Sequence, residues 1–150
     1  MPVIWVDADA TPRAVKDMLY RAAQRTGIRV EMVANQWFQT PKHGPIKLHV
    51  VGKGFDVADD FIAAQVEPGD LVITQDIPLA AEVVEKGCLV LDNRGNVIDA
   101  NNARSRLAMR DFMETMRESG EQIGGPKAFS DKDKRRIAGE IDKWLAKQKR

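Results

Sequence analysis

Six aspartates in this chain stand where carboxylates can be gathered for chemistry. Asp7 and Asp9 straddle Ala8 at the end of the apolar run Val3-Ile4-Trp5-Val6. Asp59 and Asp60 adjoin in a helix-like stretch, Asp76 closes Leu71-Val72-Ile73-Thr74-Gln75, and Asp92 closes Cys88-Leu89-Val90-Leu91. Carboxylates collected in one cleft repel one another, and the repulsion raises their pKa values. A divalent cation removes that penalty. Mg²⁺ and Mn²⁺ take oxygen ligands, polarise phosphoryl oxygens and lower the pKa of water, which points to phosphodiester hydrolysis by metal-activated water. The only histidines are His43 and His49 and there is no CxxC pair, so a zinc site is not expected.

Each acid also has an ordinary use. Asp76, before Ile77-Pro78, suits a helix cap. Asp92, beside Asn93 and Gly95, suits a turn. Asp56 suits a solvated helix face. Turn chemistry does not need two acids around one small residue, however, so the 7/9 pair points beyond it.

The elements that must position these acids follow from periodicity. The runs 3–7, 28–33, 46–51, 71–76 and 88–92 read as strands. Val15, Met18, Leu19 and Ala22 recur at helical spacing after Thr11-Pro12, read as cap and first helical residue, and Gly27 ends that helix. Val57, Phe61 and Ala64 share a helical face in the next helix, and Leu79, Val83 and Val84 mark a third, closed by Gly87. The rhythm β-α-β-β-α-β-α-β, with near-continuous apolar strands, predicts an α/β fold. It is expected to be a single three-layer domain with a mainly parallel central sheet of about five strands flanked by helices. In such a sheet, strands that end on acids deliver them to the carboxyl edge, where ligands bind.

The acidic α/β core takes up about residues 1–100, and a helical part follows over about 101–150. Met109, Phe112, Met113 and Met116 line one face of its first helix, which is a core face or a contact surface between two copies. Arg104, Arg106 and Arg110 occupy other positions, suited to substrate phosphates or to a solvated face. Asn35, heading the polar loop 35–44, is counted with them as a substrate contact. Trp37 and Phe38 in that loop either stack bases of a single strand or pack under the loop. Ser130 and Asp133 make a capping-box pattern before a helix with Ile137, Ile141, Trp144 and Leu145 on one face.

At 150 residues, with 43% hydrophobic and 30% charged content and a formal charge of +1, the chain suits one soluble globular domain. The charge balance carries no global signal for nucleic acid or membrane. The single cysteine, Cys88, excludes an internal disulfide. With no leader-like opening and no membrane-length apolar run, a cytoplasmic protein is expected.

Four segments resemble the YaiI/YqxD family of uncharacterised bacterial proteins. They are Val-Asp-Ala-Asp-Ala-x-Pro at 6–12, Asp-Val-Ala-Asp-Asp at 56–60, Asp-Leu-Val-Ile-Thr-Gln-Asp-Ile-Pro-Leu-Ala at 70–80, and Arg-Leu-Ala-Met-Arg-Asp-Phe at 106–112. The resemblance covers nearly the whole chain. It implies a PIN-like nuclease fold, with acids after the first strand, in a central helix and after the Thr-x-Asp strand. By that resemblance Asp7, Asp9, Asp59 or Asp60, and Asp76 are the catalytic carboxylates. Asp7, Asp9, Asp59, Asp76 and more remotely Asp92 would hold Mg²⁺ or Mn²⁺, and the substrate would be single-stranded RNA. Family members commonly carry cysteine where this chain has Thr11. If that residue only caps a helix, Thr11 serves equally.

Two other readings compete. Asp7-Ala8-Asp9-Ala10-Thr11 also fits the Asp-x-Asp-x-Thr signature of haloacid-dehalogenase-like phosphatases, with Asp7 as nucleophile and Asp9 as general acid. In those proteins the metal-holding acid pair follows the threonine motif, whereas Asp59-Asp60 precedes Thr74. The third reading is a module that binds a cation or RNA without cutting.

Overall fold

The computed structural model describes residues 2–54, 57–118 and 128–148, and side chains within these except those of 110–118. Six strands form one sheet: β1 Val3–Asp7, β2 Arg29–Ala34, β3 Ile46–Val50, β4 Leu71–Ile73, β5 Leu89–Leu91 and β6 Val97–Ile98. Five helices accompany them: α1 Arg13–Thr26, α2 Val57–Gln65, α3 Ile77–Glu85, α4 Ala100–Glu118 and α5 Asp131–Lys147. The strand order is β3-β2-β1-β4-β5-β6. All neighbouring strands run parallel except β5 and β6, which are antiparallel. The expected α/β class and layered, mainly parallel sheet are therefore present. The sheet has one strand more than the five expected: β6 is only two residues long and follows a turn, too short to show a period in sequence.

The alternation of side chains along the strands divides the core into two. Ile4, Val6, Val30, Met32 and Ile73 pack on one face against Val15 and Leu19 of α1 and Ile137, Ile141 and Trp144 of α5. Val3, Trp5, Val33, Val72 and Val90 pack on the other against Ile62 of α2, Leu79 and Val83 of α3 and Ala103 of α4. Both sheet faces are covered, which is why the strands read as unbroken apolar runs.

Local chemistry sets most helix ends as the sequence suggests. Gly27 stops α1 at φ 77°, a conformation that costs glycine nothing. Asp76 caps α3, its Oδ1 accepting from the Leu79 N–H at 2.9 Å. Ser130 and Asp133 form the anticipated capping box on α5. Gly95 is needed for a different reason. A Cβ there would lie 2.5 Å from the Ile137 nitrogen, so the β5–β6 turn presses directly on the backbone of α5.

Two local expectations are corrected. Pro12, not Thr11, holds the cap position of α1 and supplies no side-chain cap. The Thr11 hydroxyl instead donates to the Asp7 carbonyl at 2.8 Å, closing the short 3₁₀ turn Ala8–Ala10. On α2 the buried residues are Ile62 and Ala63, while Val57 and Ala64 are exposed, so the core-facing stripe is rotated from the one the spacing suggested. Among the described residues Met109 is 59% exposed, so it does not serve the core. Asp56 lies outside the described residues, as do the side chains of Arg110, Phe112, Met113 and Met116. No helix among the described residues is long and apolar enough to cross a membrane.

Candidate functional site

The chain leaves β1 toward β2 on one side, while β4 pairs with β1 on the other. That divergence opens a crevice beyond the carboxyl ends of β1 and β4, the usual ligand position in open α/β sheets. A cleft of about 160 Å³ lies on this edge, lined by Asp7, Asp9, Asn35, Gly54, Ala58 and Asp59. Three different elements supply its acids: the last residue of β1, the 3₁₀ turn after it, and the first turn of α2.

Asp7 is the most constrained of them. Its Oδ2 accepts from the buried Thr74 hydroxyl at 3.0 Å. The same Thr74 oxygen accepts from the Asp76 N–H at 3.0 Å, so one hydroxyl couples the ends of β1 and β4. Burial raises the Asp7 carboxyl above its ordinary value. The Thr74 bond pulls it down, and the nearby charges of Asp76 and Asp9 push it up again. Asp9 is exposed, and its Oδ2 accepts from the Asn35 N–H at 2.8 Å.

Not every predicted acid joins the cleft. Asp76 faces Asp7 electrostatically, yet one of its oxygens serves the α3 cap. Asp60 is exposed on α2 and is not among the residues lining the cleft. Asp92 is buried and committed to its own turn: Oδ1 accepts from the N–H groups of Arg94 and Asn96, both at 2.9 Å. Its Oδ2 accepts from Asn96 Nδ2 at 3.0 Å and from the Arg106 guanidinium at 3.2 Å. Arg106 is thus engaged within the fold, and Arg104 lines a separate crevice between α3 and α4.

Two residues at this edge carry roles that acid-centred reading missed. Thr74 was visible as the first residue of Thr74-Gln75-Asp76, but its fully buried hydroxyl, and not only the terminal acid, is what touches Asp7. Asn93 was read as turn chemistry. Its N–H donates to Gln75 Oε1 at 2.7 Å and its Nδ2 to the Ala10 carbonyl, tying together the loops after β5, β4 and β1. Nothing in the sequence signals such a contact across 83 positions.

The donors present are all hard oxygens, suited to Mg²⁺ or Mn²⁺ and not to zinc. Among buried side-chain polar atoms of the described residues, Asn35 Oδ1 and Asn93 Oδ1 have no hydrogen-bond partner, and the first belongs to a residue lining the cleft. Among the described residues no group of three or more Asp, Glu, His or Cys side chains is arranged to hold an ion by itself. A cation there would be held by one or two carboxylates with waters filling its other positions, as magnesium usually is. Asp7 with Asp9 or Asp59 would be the holding residues.

An α/β domain with carboxylates at the carboxyl edge of its sheet is the class this geometry defines. The chain belongs to the YaiI/YqxD family: the model for uncharacterised proteins of that family matches residues 5–147. It is 54% identical over 147 residues to a UPF0178 protein of Pectobacterium carotovorum, covering 98% of each chain. A UPF0178 protein of Yersinia enterocolitica is 54% identical over 142 residues, covering 95% of this chain and 93% of that one. No solved structure matches the chain.

Proposed function

We propose that this protein is a PIN-like, Mg²⁺- or Mn²⁺-dependent hydrolase of phosphodiester bonds, acting on RNA. The observation that carries the reading is that Asp7, Asp9 and Asp59 line one cleft at the carboxyl edge of the sheet, with the Thr74 hydroxyl linking Asp7 to the Asp76 backbone. Structural acids collect donors. Asp7 has one side-chain hydroxyl on Oδ2, and burial, with the charges of Asp76 and Asp9, holds its carboxyl above the ordinary value, as suits a site built for a cation.

The cation, when bound, would supply Lewis acidity at the phosphoryl oxygen and a water acidic enough to ionise near neutral pH. The chain's own work is positional. Thr74 fixes the rotation of the Asp7 carboxylate by holding Oδ2. The Asn35 N–H does the same for Asp9. Gln75 and Asn93 tie the loops after β4, β5 and β1 to one another. The Thr11 hydroxyl, spent on the Asp7 carbonyl, braces the backbone between the two acids.

The test is cleavage of labelled single-stranded RNA by wild type and Asp7→Asn, purified identically, with Mn²⁺ or Mg²⁺ and with a phosphomonoester alongside. Metal-dependent cutting that falls at least about a hundredfold in the variant supports the hydrolase. Phosphate release from the monoester would move the assignment to a phosphatase using Asp7 as nucleophile. Equal cutting by both proteins, or none by either, overturns the proposal.

A further inference from the structure

An RNA hydrolase needs a surface that holds the strand, and neither described arginine side chain of α4 provides one: Arg106 is bonded to Asp92 and Arg104 lines a crevice elsewhere. We infer that the face made by the first turns of α1 and the loop after β2 binds an unpaired polynucleotide, with a base stacked on Trp37 and phosphates on Arg13 and Lys16. As a route into the acidic cleft, this rests on the hydrolase reading. As a binding site it stands apart from it.

Trp37 is 73% exposed, the most exposed large apolar side chain among those described. The neighbouring Phe38 does the opposite. It packs against the core beneath Lys16, whose ammonium sits 4.2 Å from the ring centroid. The loop therefore does not hide its aromatics; it half-buries one against the core and leaves the other bare. A solvent-facing indole wastes its apolar area unless a flat partner covers it, and every base has such a face.

Beside it lies a cleft of about 390 Å³ lined by Arg13, Lys16, Asp17, Tyr20, Phe38 and Gln39, two cations to one carboxylate. Arg25, Arg29, Arg94 and Arg106 are each paired with a carboxylate. Among the described residues Arg13 and Lys16 are in no ion pair, so their charge is available to phosphate. The face is also continuous with the acids. The Asn35 N–H bonds Asp9, and Trp37 follows two residues later, within about 7 Å of chain. Arg13 starts α1 four residues beyond Asp9. A strand seated on Trp37 would thus run past the acidic cleft.

The experiment measures binding of labelled oligouridine, oligodeoxythymidine and a duplex in EDTA, so that cutting plays no part. Wild type should bind single strands, and the duplex less well. Trp37→Ala should weaken single-strand binding about tenfold, while Trp37→Phe keeps most of it. In the Arg13→Gln/Lys16→Gln double variant the slope of log affinity against log salt should become shallower by about 0.7 for each cation removed. Wild type that does not bind single strands, or variants that bind as wild type does, would overturn the inference. If Trp37-dependent binding is found and no RNA is cut, the strand site stands and the hydrolase reading falls. If RNA is cut and Trp37→Ala binds normally, the reverse holds.

Discussion

Asp7 and Asp70 sit at opposite ends of the same pair of strands, and their surroundings are opposite too. Asp70 precedes β4 at the amino edge and is 2% exposed. Its oxygens accept from the Val3 N–H at 2.9 Å, the Trp5 indole at 3.2 Å and the Glu67 N–H at 2.9 Å. Asp7, at the carboxyl edge, is half-buried beside two other carboxylates, with a single side-chain hydroxyl on Oδ2. One acid organises the chain around itself. The other is kept short of donors, a poor arrangement for stability and a good one for meeting a cation. The two carboxylates differ in burial and in the donors around them, and on the proposed function it is the shortage of donors that suits Asp7 to a cation.

The comparison can be broken most directly at Asp70. Asp70→Ala leaves three donors without their acceptor and should cost at least about 3 kcal/mol in urea unfolding. A cost under about 1 kcal/mol would mean that Asp70 is no more structural than Asp7. Thr74→Val comes next. It removes the donor to Asp7 and the acceptor for the Asp76 N–H, and should cost about 1–2 kcal/mol. It should also push the Asp7 carboxyl further up, visible as an upward move of its titration followed by carboxyl carbon NMR.

The smallest effect has the opposite sign. Asp7 has a raised pKa in the folded protein, so the unfolded chain releases that proton first as pH rises. The resulting penalty is absent at low pH, grows through the interval between the two pKa values and is complete above the folded one. Asp7→Asn should therefore be more stable than wild type near neutral pH by about 1 kcal/mol, the usual scale of a stability-for-function exchange. The gain should disappear in acid. An equal or lower melting temperature at neutral pH would remove the distinction drawn between the two acids.

Much of this fold was legible because its signals are local. The apolar runs at 71–73 and 89–91, the Gly27 stop, the Asp76 cap and the Ser130/Asp133 box each act within a few residues. The acids at 7, 9 and 59 were legible as candidates because strand ends and helix starts could be placed. What stayed hidden depends on distance through space. Thr74 reaches Asp7 across 67 positions, and Asn93 reaches Ala10 across 83. Asp60 and Asp92 have the same residue type as their neighbours in the cleft, and only rotation on a helix or the demands of a turn set them apart. Trp37 and Phe38, adjacent and both aromatic, took opposite roles that composition does not distinguish.

The strand order has a temporal side. The central strand β1 is made first, and its partners on one side, β2 and then β3, follow within the first fifty residues. Its partner on the other side, β4, does not exist until residue 73 has been added. A nascent chain begins folding from its amino end, so the β3-β2-β1 half can take shape while the acids at its edge still lack Thr74, Asp76 and the α2 carboxylate. The acidic edge of the sheet is thus completed only after its β3-β2-β1 half exists, and an interrupted product carries Asp7 and Asp9 without Thr74 and Asp76.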